Sequence, residues 1–493
     1  MESASEVIRG PLTAAPKPAS VEIAPAICVD LDGTLIRTDL LLETFLAAVR
    51  KNPLVLFFAI LWLYRGRAVL KENLAAAVDL NPALLPYNEP LIEYLKARKE
   101  SGSKLYLTTA STERVARKIA DHLGLFDAVL ASDGSSNLKG GRKRQAIEEF
   151  LHGQPYLYAG DGKADLPIWL GSAGAITVAA PHSVTASLRR SRIPIVAEFT
   201  VRRSRLISSL RALRIYQWCK NVLVFVPLLL GHAVDLIHIV PAAIAFSAFS
   251  LCASAFYVVN DLLDLEADRG HPRKRLRPFA SGALSIVDGF RLLAFLIPTI
   301  VVLNVWLPAG ARWLLAAYAA INLLYSAQLK RMLFLDVLVL AWMYALRVLF
   351  GAAASAITVS IWTLAFSIFL FLGLALVKRL TELRRVTAPS RQPAARRAYL
   401  PEDVSTIESF ASASLYLSVL VMALYINSAD VLKLYHRPEA LWFVCLLLIY
   451  WVSRMLMLAN RGQLTDDPIV FAFRDRPSRC VAVLLAGCVA LAL

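Results

Sequence analysis

A chain of 493 residues that is 57% hydrophobic, with a mean hydropathy of +0.55, exceeds one domain and commits a large part of itself to a bilayer. Its net charge of +16 lies largely in short loops between apolar runs, which fits anionic lipid and phosphate substrates and argues against nucleic acid as a partner. The six cysteines, Cys28, Cys219, Cys252, Cys445, Cys480 and Cys488, contain no C-x-x-C pair and exclude a disulfide or zinc framework.

Residues 1–24 have no apolar signal core and read as a flexible Ala/Pro lead, which leaves the domain behind them in the cytoplasm. From 25 to 182, strand-like runs at Ile27–Leu31, Lys104–Thr108, Ala128–Ala131, Tyr156–Ala159 and Ala175–Val178 alternate with helical patterns. That alternation predicts a Rossmann-like α/β domain with a parallel sheet. The first run ends in Asp30-Leu31-Asp32-Gly33-Thr34, so a buried strand delivers two carboxylates to its carboxyl end, where such sheets form sites. The helical stretch that follows reads as a cap. Within it, Pro53–Tyr64 (PLVLFFAILWLY) is too short to span a bilayer. It reads as cap core, with a membrane-interface position between Lys51, Arg65 and Arg67 as the alternative.

The segments DLDGT, LTTAS, LKGGRKRQAIEEF and GDGKADLP occur in that order, and together they resemble the haloacid dehalogenase (HAD) phosphatase superfamily. The resemblance implies that Asp30 is a nucleophile forming an aspartyl-phosphate and that Asp32 is the acid/base. It further implies that Thr109, or the adjacent Thr108, bonds the phosphoryl group and that Lys143, or Lys139, neutralises its charge. Asp161 and Asp165 would complete an Mg²⁺ site with Asp30.

Residues 183–214 are dense in arginine and read as a basic linker lying on anionic headgroups. Apolar segments near 216–231, 237–259, 286–307, 312–328, 334–354, 358–377, 408–427, 439–459 and 480–493 then predict an all-α, nine-helix transmembrane bundle over 215–493. With the first domain inside, the cytoplasmic loops carry the basic residues and the opposite loops show only Arg312, Lys433 and Arg437. That asymmetry fixes the orientation of a multi-pass protein with its first domain on the cytoplasmic side; the membrane expected is a bacterial inner membrane.

The second apolar segment runs into Asn260–Gly282, NDLLDLEADRGHPRKRLRPFASG. If the helix continues, Asp261, Asp264 and Asp268 share one face. Carboxylates so spaced suit Mg²⁺ carrying a phosphorylated substrate, and His271, Arg273, Lys274, Arg275 and Arg277 add a cationic strip beside them. Asn-Asp-x-x-Asp-x-x-x-Asp followed by that strip resembles the first aspartate motif of the UbiA-type intramembrane prenyltransferase superfamily. Where members acting on aromatic acceptors usually show a second acidic loop, this chain reads LALVKRLTEL: Lys378 and Arg379 with one carboxylate, Glu382.

This departure resembles the decaprenyl-phosphate phosphoribosyltransferase branch, as do Gln217-Trp218-x-Lys220-Asn221, Tyr325-Ser326, Lys330-Arg331, Asp336, Arg347 with Gly351, and Phe473-Arg474-Asp475-Arg476. It implies that Asp261, Asp264 and Asp268 hold Mg²⁺ on the diphosphate of phosphoribosyl diphosphate (PRPP) and that Asn260 orients it. Arg273, Lys274 and Arg277 would stabilise the leaving diphosphate, while Lys220, Lys378 and Arg379 hold the phosphate of a polyprenyl phosphate. Tyr325, Lys330 and Glu382 are further substrate contacts on this reading. Arg347, an arginine at membrane depth, is expected to face a polar cavity. The HAD domain would remove the ribose 5-phosphate from the product. The alternatives are a quinone- or haem-type aromatic prenyltransferase using prenyl diphosphate, and a transporter or scaffold with a regulatory HAD domain.

Overall fold

Strands that are apolar at every position need cover on both faces, and the first unit supplies it. The computed structural model describes residues 25–132, 138–200, 204–385, 398–464 and 467–493, in one unit ending at Arg202 and another beginning at Arg203. In the first unit β1 (Ala26–Asp30), β2 (Leu105–Thr112), β3 (Ala128–Ser132), β4 (Tyr156–Gly160), β5 (Gly174–Val178) and β6 (Ile195–Phe199) form one parallel sheet, ordered β3-β2-β1-β4-β5-β6. Side chains alternate across it. Ile27, Val29, Leu105, Leu107 and Leu157 enter the core on one face, and Cys28, Tyr106, Tyr156 and Tyr158 enter the core on the other. The strand order reverses beside β1, so Asp30 ends at the switch point where doubly wound sheets open a crevice.

Between β1 and β2 lie α1 (Leu40–Lys51), α2 (Val55–Arg65), α3 (Arg67–Ala77) and α4 (Glu89–Glu100); α5 (Glu113–Leu123), α6 (Gly141–Phe150), α7 (Leu166–Trp169) and α8 (His182–Arg190) serve the later strands. Two expectations change here. β6 pairs in parallel with β5, with a register shift between Ala175 and Ile176, so the α/β unit passes 182 and takes in half of the segment expected as linker. As an edge strand with only alternate residues half-buried, it gave a weak apolar signal among arginines. The apolar stretch 53–64 is also not cap core. On α2 only Val55 is buried, while Phe57 is 71% exposed, Ile60 69% and Tyr64 95%.

The second unit is helical: α9 (Arg205–Ala212), a 3₁₀ segment Ile215–Phe225, α10 (Val226–Leu230), α11 (Leu236–Leu263), α12 (Leu265–Arg269), α13 (Ile286–Val305), α14 (Ala309–Ala327), α15 (Leu335–Ala354), α16 (Ile361–Arg385), α17 (Val404–Ile426), α18 (Ala429–Leu434), α19 (Trp442–Asn460), α20 (Pro468–Arg474) and α21 (Arg476–Ala492). All nine predicted segments fall on helix, yet a nine-span bundle does not follow. Among the described residues six helices, α11, α13, α15, α16, α17 and α19, are long and apolar enough to cross a membrane. A seventh span arises only if α9 and Ile215–Leu230, bent by 45°, count as one. The first segment is broken by its 3₁₀ geometry, α14 carries Arg312 and Asn322, and α21 is 17 residues long.

The 3₁₀ segment is seated against α15 at Gly351, where an added Cβ would lie 1.9 Å from the Val224 carbonyl oxygen. Gly351→Ala is therefore expected to destabilise the helical unit by about 3 kcal/mol, because backbone rather than a movable side chain stands in the way. The readout is a lower unfolding midpoint in detergent.

Candidate active sites

The first site sits at the carboxyl end of β1. Asp30 is buried, and its Oδ1 accepts from Lys143 Nζ at 2.5 Å. α6 brings that lysine in, and its other bonds go to the Thr108 carbonyl and the Tyr158 hydroxyl, both at 3.1 Å. Tyr158 passes the connection on by donating to Asp165 Oδ1 at 2.9 Å. The second Asp165 oxygen accepts the N–H groups of Asp161 (3.2 Å) and Gly162 (3.1 Å), which holds the 160–165 turn against the strand. Gly33 has φ +80°, and a Cβ there would lie 2.4 Å from Asp161 Oδ2, so the DLDGT glycine is required by conformation and by space.

Burial raises the Asp30 carboxyl above its ordinary range despite Lys143. Burial first, then the charges of Asp165 and Asp30, push Asp161 up to about 7. Crowding of this kind is relieved by a cation. Among the described residues only Asp30, Asp161 and Asp165 bring three ligand oxygens within 4.8 Å of one another, and an all-carboxylate set suits Mg²⁺.

Asp32 is held from two sides. Its Oδ1 accepts the N–H of Leu40 at the start of α1, and its Oδ2 accepts the Ser111 hydroxyl, each at 2.7 Å. Burial, then the charge of Asp39, push this carboxyl up to about 7. Two carboxylates one residue apart thus differ: Asp30 is paired with a lysine, while Asp32 is poised to carry a proton near neutrality. Thr109 is fully buried and its hydroxyl accepts the Ser111 N–H at 3.0 Å, whereas the Thr108 hydroxyl donates to the Val29 carbonyl at 3.3 Å. Lys139 is exposed. Ser111, which touches Asp32, was not singled out from sequence; its one signal was its place at the end of LTTAS.

In the helical unit α11 ends at Leu263, and Asp264 caps it before α12 begins. Asp261 and Asp268 are buried, and one guanidinium, that of Arg277, donates to Asp261 Oδ1 at 3.0 Å and to Asp268 Oδ2 at 2.7 Å. Arg214 reaches the same Asp261 oxygen at 2.5 Å and lies over the Tyr257 ring. Arg277 thus occupies a cation position between two of the three expected carboxylates. Asp264 is half-buried where α11 meets α12, and the helical bonds continue through it: its N–H donates to the Asn260 carbonyl at 2.9 Å and its carbonyl accepts the Asp268 N–H at 2.8 Å. The donors suit Mg²⁺ in kind, with the guanidinium as stand-in. Asn260 is half-buried on the last turn of α11, and Arg273 and Lys274 are exposed in the following loop.

A second cluster was only half anticipated. Lys220 Nζ and Lys378 Nζ both meet Asp467 Oδ2, at 2.8 and 3.0 Å, and the Tyr344 hydroxyl stands 3.3 Å from each oxygen of that carboxylate. Burial would raise the Asp467 carboxyl, but Lys378 and Lys220 outweigh it and hold it well below the usual carboxylate range. Asp467 was missed because it looks like the cap it also is: its side chain accepts the Ile469 N–H at the start of α20.

Arg379 is turned away from that cluster. It is 1% exposed, pairs with Asp336 Oδ2 at 2.6 Å and with Glu382, and lies over the Tyr399 ring. Tyr399 in turn donates to Asp336 Oδ1 at 2.6 Å. Arg347 is buried. Its guanidinium lies against the rings of Phe249, Tyr344 and Tyr318, its Nε donates to Asn221 Oδ1 at 2.9 Å, and its Nη1 donates to the Met343 carbonyl at 2.5 Å. Aromatic faces and two oxygens compensate its charge. Tyr325 is half-buried near the end of α14, and Lys330 lies in the turn Leu329–Arg331.

The 3₁₀ segment ties these groups together. It follows Arg214 and carries Lys220, which meets Asp467, and Asn221, which meets Arg347 and Ser250. Eleven residues is long for 3₁₀ geometry, as in segments held by their contacts rather than by their own ladder.

Comparison with known proteins bears on both units. Residues 222–475 match the UbiA prenyltransferase family, and residues 27–169 match haloacid dehalogenase-like hydrolases. The uncharacterized protein y4nM of Sinorhizobium fredii is 37% identical over 95% of this chain and 91% of its own length. Nodulation protein NoeC of Azorhizobium caulinodans is 34% identical over 57% of this chain and 92% of its own. A decaprenyl-phosphate phosphoribosyltransferase of Mycobacterium tuberculosis is 33% identical over 55% of this chain and 90% of its own.

Proposed function

This chain belongs to the UbiA prenyltransferase family and carries a haloacid dehalogenase-like hydrolase domain ahead of the membrane helices, and from that premise we propose a two-step enzyme. The membrane domain transfers 5-phosphoribose from PRPP to a polyprenyl phosphate with release of diphosphate. The HAD domain then removes the 5-phosphate from the lipid-linked product. The observation that carries the reading is the pair of lysines, Lys220 and Lys378, converging on one buried anion position, Asp467, where aromatic-acceptor members of the family are expected to place acids. The similarity to a decaprenyl-phosphate phosphoribosyltransferase over most of that relative's length supports phosphoribosyl transfer to a polyprenyl phosphate.

In the first step an oxygen of the lipid phosphate, held by Lys220 and Lys378, forms a bond to the anomeric carbon as the bond from that carbon to the diphosphate breaks. The diphosphate leaves with the electron pair. The attacking oxygen is already anionic, so no general base is needed. Arg277, with Arg273 and Lys274 of the same loop, offers charge to the departing diphosphate. In the second step the Asp30 carboxylate attacks phosphorus, and Asp32 protonates the leaving alkoxide. Water then opens the aspartyl-phosphate, returning a proton to Asp32. Mg²⁺, held by Asp261 and Asp268 in one domain and by Asp30, Asp161 and Asp165 in the other, would supply neutralisation of phosphate charge when bound.

Detergent-purified protein given PRPP and Mg²⁺ is expected to release diphosphate only when polyprenyl phosphate is present. Turnover of a prenyl diphosphate with an aromatic acceptor, and none with PRPP, would overturn the reading. The acid role of Asp32 sets a pH dependence. The proton must be on the carboxyl for the first half of hydrolysis, and with its pKa raised to about 7 it is lost as pH rises through that value. Phosphoenzyme formation is therefore expected to slow about tenfold per pH unit above 7. In Asp32→Asn a single-turnover measurement should show a slow, flat profile.

A further inference from the structure

Neither catalytic step uses α2. Its residues Val55, Ala59 and Trp62, one side of the helix, face the domain, and the rest of its circumference exposes Leu56, Phe57, Phe58, Ile60, Leu61 and Leu63. Six large apolar side chains exposed on one short helix mark a surface that another phase or molecule covers. We propose that α2 inserts into the boundary between headgroups and acyl chains of an anionic membrane, and that it thereby presents the Asp30 site to a phosphate monoester carried on a lipid.

Three observations favour a bilayer over a protein groove. First, a groove covers one stripe of a helix, whereas α2 is apolar around most of its girth, and acyl chains can cover all of it. Second, from Arg50 to Arg67 the sequence has four basic residues, Arg50, Lys51, Arg65 and Arg67, and no acid, so both ends of the helix match anionic headgroups. Third, the helix belongs to a chain with six helices, among the described residues, long and apolar enough to cross a membrane, so a bilayer is within the chain's reach. With 11 residues α2 is about 16 Å long against ~30 Å of hydrocarbon, so it enters one leaflet and does not cross. Trp62 and Tyr64 are the residue types that settle at such a boundary.

The insertion containing α2 is also fastened to the catalytic groups at both ends. Leu40 at the start of α1 donates to Asp32, and Lys71 of α3 donates to the Ala110 carbonyl at 2.7 Å, next to the Ser111 that binds Asp32. A cleft lined by Leu40, Thr44, Lys71, Ser111 and Thr112 opens there. Anchoring α2 therefore fixes the part of the domain that borders the reacting carboxylates. The substrate half of the proposal rests on the phosphatase reading above; the insertion half does not.

The test uses the full-length protein in nanodiscs of phosphatidylglycerol and phosphatidylcholine. p-Azidophenylalanine in place of Phe57 is expected to give lipid adducts on illumination, and the same group in place of Lys96, exposed on α4, is expected to give none. Combined Phe57→Ser, Ile60→Ser and Leu61→Ser should lower hydrolysis of synthetic polyprenyl-phosphoryl ribose 5-phosphate by about tenfold or more, with hydrolysis of soluble p-nitrophenyl phosphate unchanged. Adducts from position 57 only to protein, whether a second copy or another chain, or no adducts, would overturn insertion. An equal loss on both esters, or no loss, would overturn its role in substrate delivery. If the unaltered protein hydrolyses neither ester, the phosphatase reading fails, while lipid adducts at 57 would still uphold insertion.

Discussion

Asp30→Asn is expected to lower phosphate hydrolysis by at least about 10³-fold and to leave diphosphate release at its original rate. An amide cannot form the acyl phosphate, so the loss is chemical rather than a matter of affinity. The fold should survive the change. Lys143 keeps two of its three partners, the Thr108 carbonyl and the Tyr158 hydroxyl, and asparagine still offers an oxygen at the position of Oδ1. Measured with PRPP and polyprenyl phosphate, the variant should accumulate the lipid that still carries its 5-phosphate. Dephosphorylation at the original rate would show that the two sites are not coupled in the way proposed.

Asp261→Asn is expected to produce the converse: diphosphate release falls by about 10²- to 10³-fold, while hydrolysis of p-nitrophenyl phosphate by the HAD domain is unchanged. The carboxylate sits between Arg214 and Arg277, and both lose a charged partner in the variant. Each retains another contact, Arg214 the Tyr257 ring and Arg277 the Asp268 carboxylate, so the helical unit should remain folded. Titration of Mg²⁺ against residual transfer separates the two explanations of such a loss. A metal-site defect raises the concentration needed, whereas a purely structural defect lowers the amplitude at every concentration. Asp268→Asn, which leaves Asp261 with both arginines, should cost less than Asp261→Asn.

The sheet was legible because its inner strands are buried on both faces: an apolar run ended by DLDGT or GDGKADLP can be little else. β6 escaped because an edge strand needs only alternate apolar residues, and arginines crowd on either side of it. α2 misled for a different reason. Apolar content reports a preference for leaving water and says nothing of whether protein or lipid receives the side chain, so a stretch read as cap core is exposed. The nine-span count is not confirmed at its two ends, where a bent 3₁₀ segment and a 17-residue helix carry apolar runs without the length of a single straight span.

Site residues divided along similar lines. Residues with a fixed spacing from a strand end or motif, such as Asp30, Asp161 and Asp165, lie within reach of one another. Residues whose partners come from distant helices follow no such spacing. No local pattern shows that Lys220 and Lys378, 158 positions apart, share Asp467, or that Arg379 turns instead to Asp336. Arg347 shows the limit of a cost argument. Its charge had to be compensated at depth, but sequence could not say that aromatic rings would do it.

The most direct test of two sites acting in turn on one lipid is to follow PRPP radiolabelled in its 5-phosphate through a single reaction with polyprenyl phosphate in reconstituted membranes. The label is expected to enter the lipid fraction as diphosphate is released and then to leave it as inorganic phosphate, with the second phase absent in Asp30→Asn. Label that never enters the lipid, or that enters and stays there with the unaltered protein, would contradict the account.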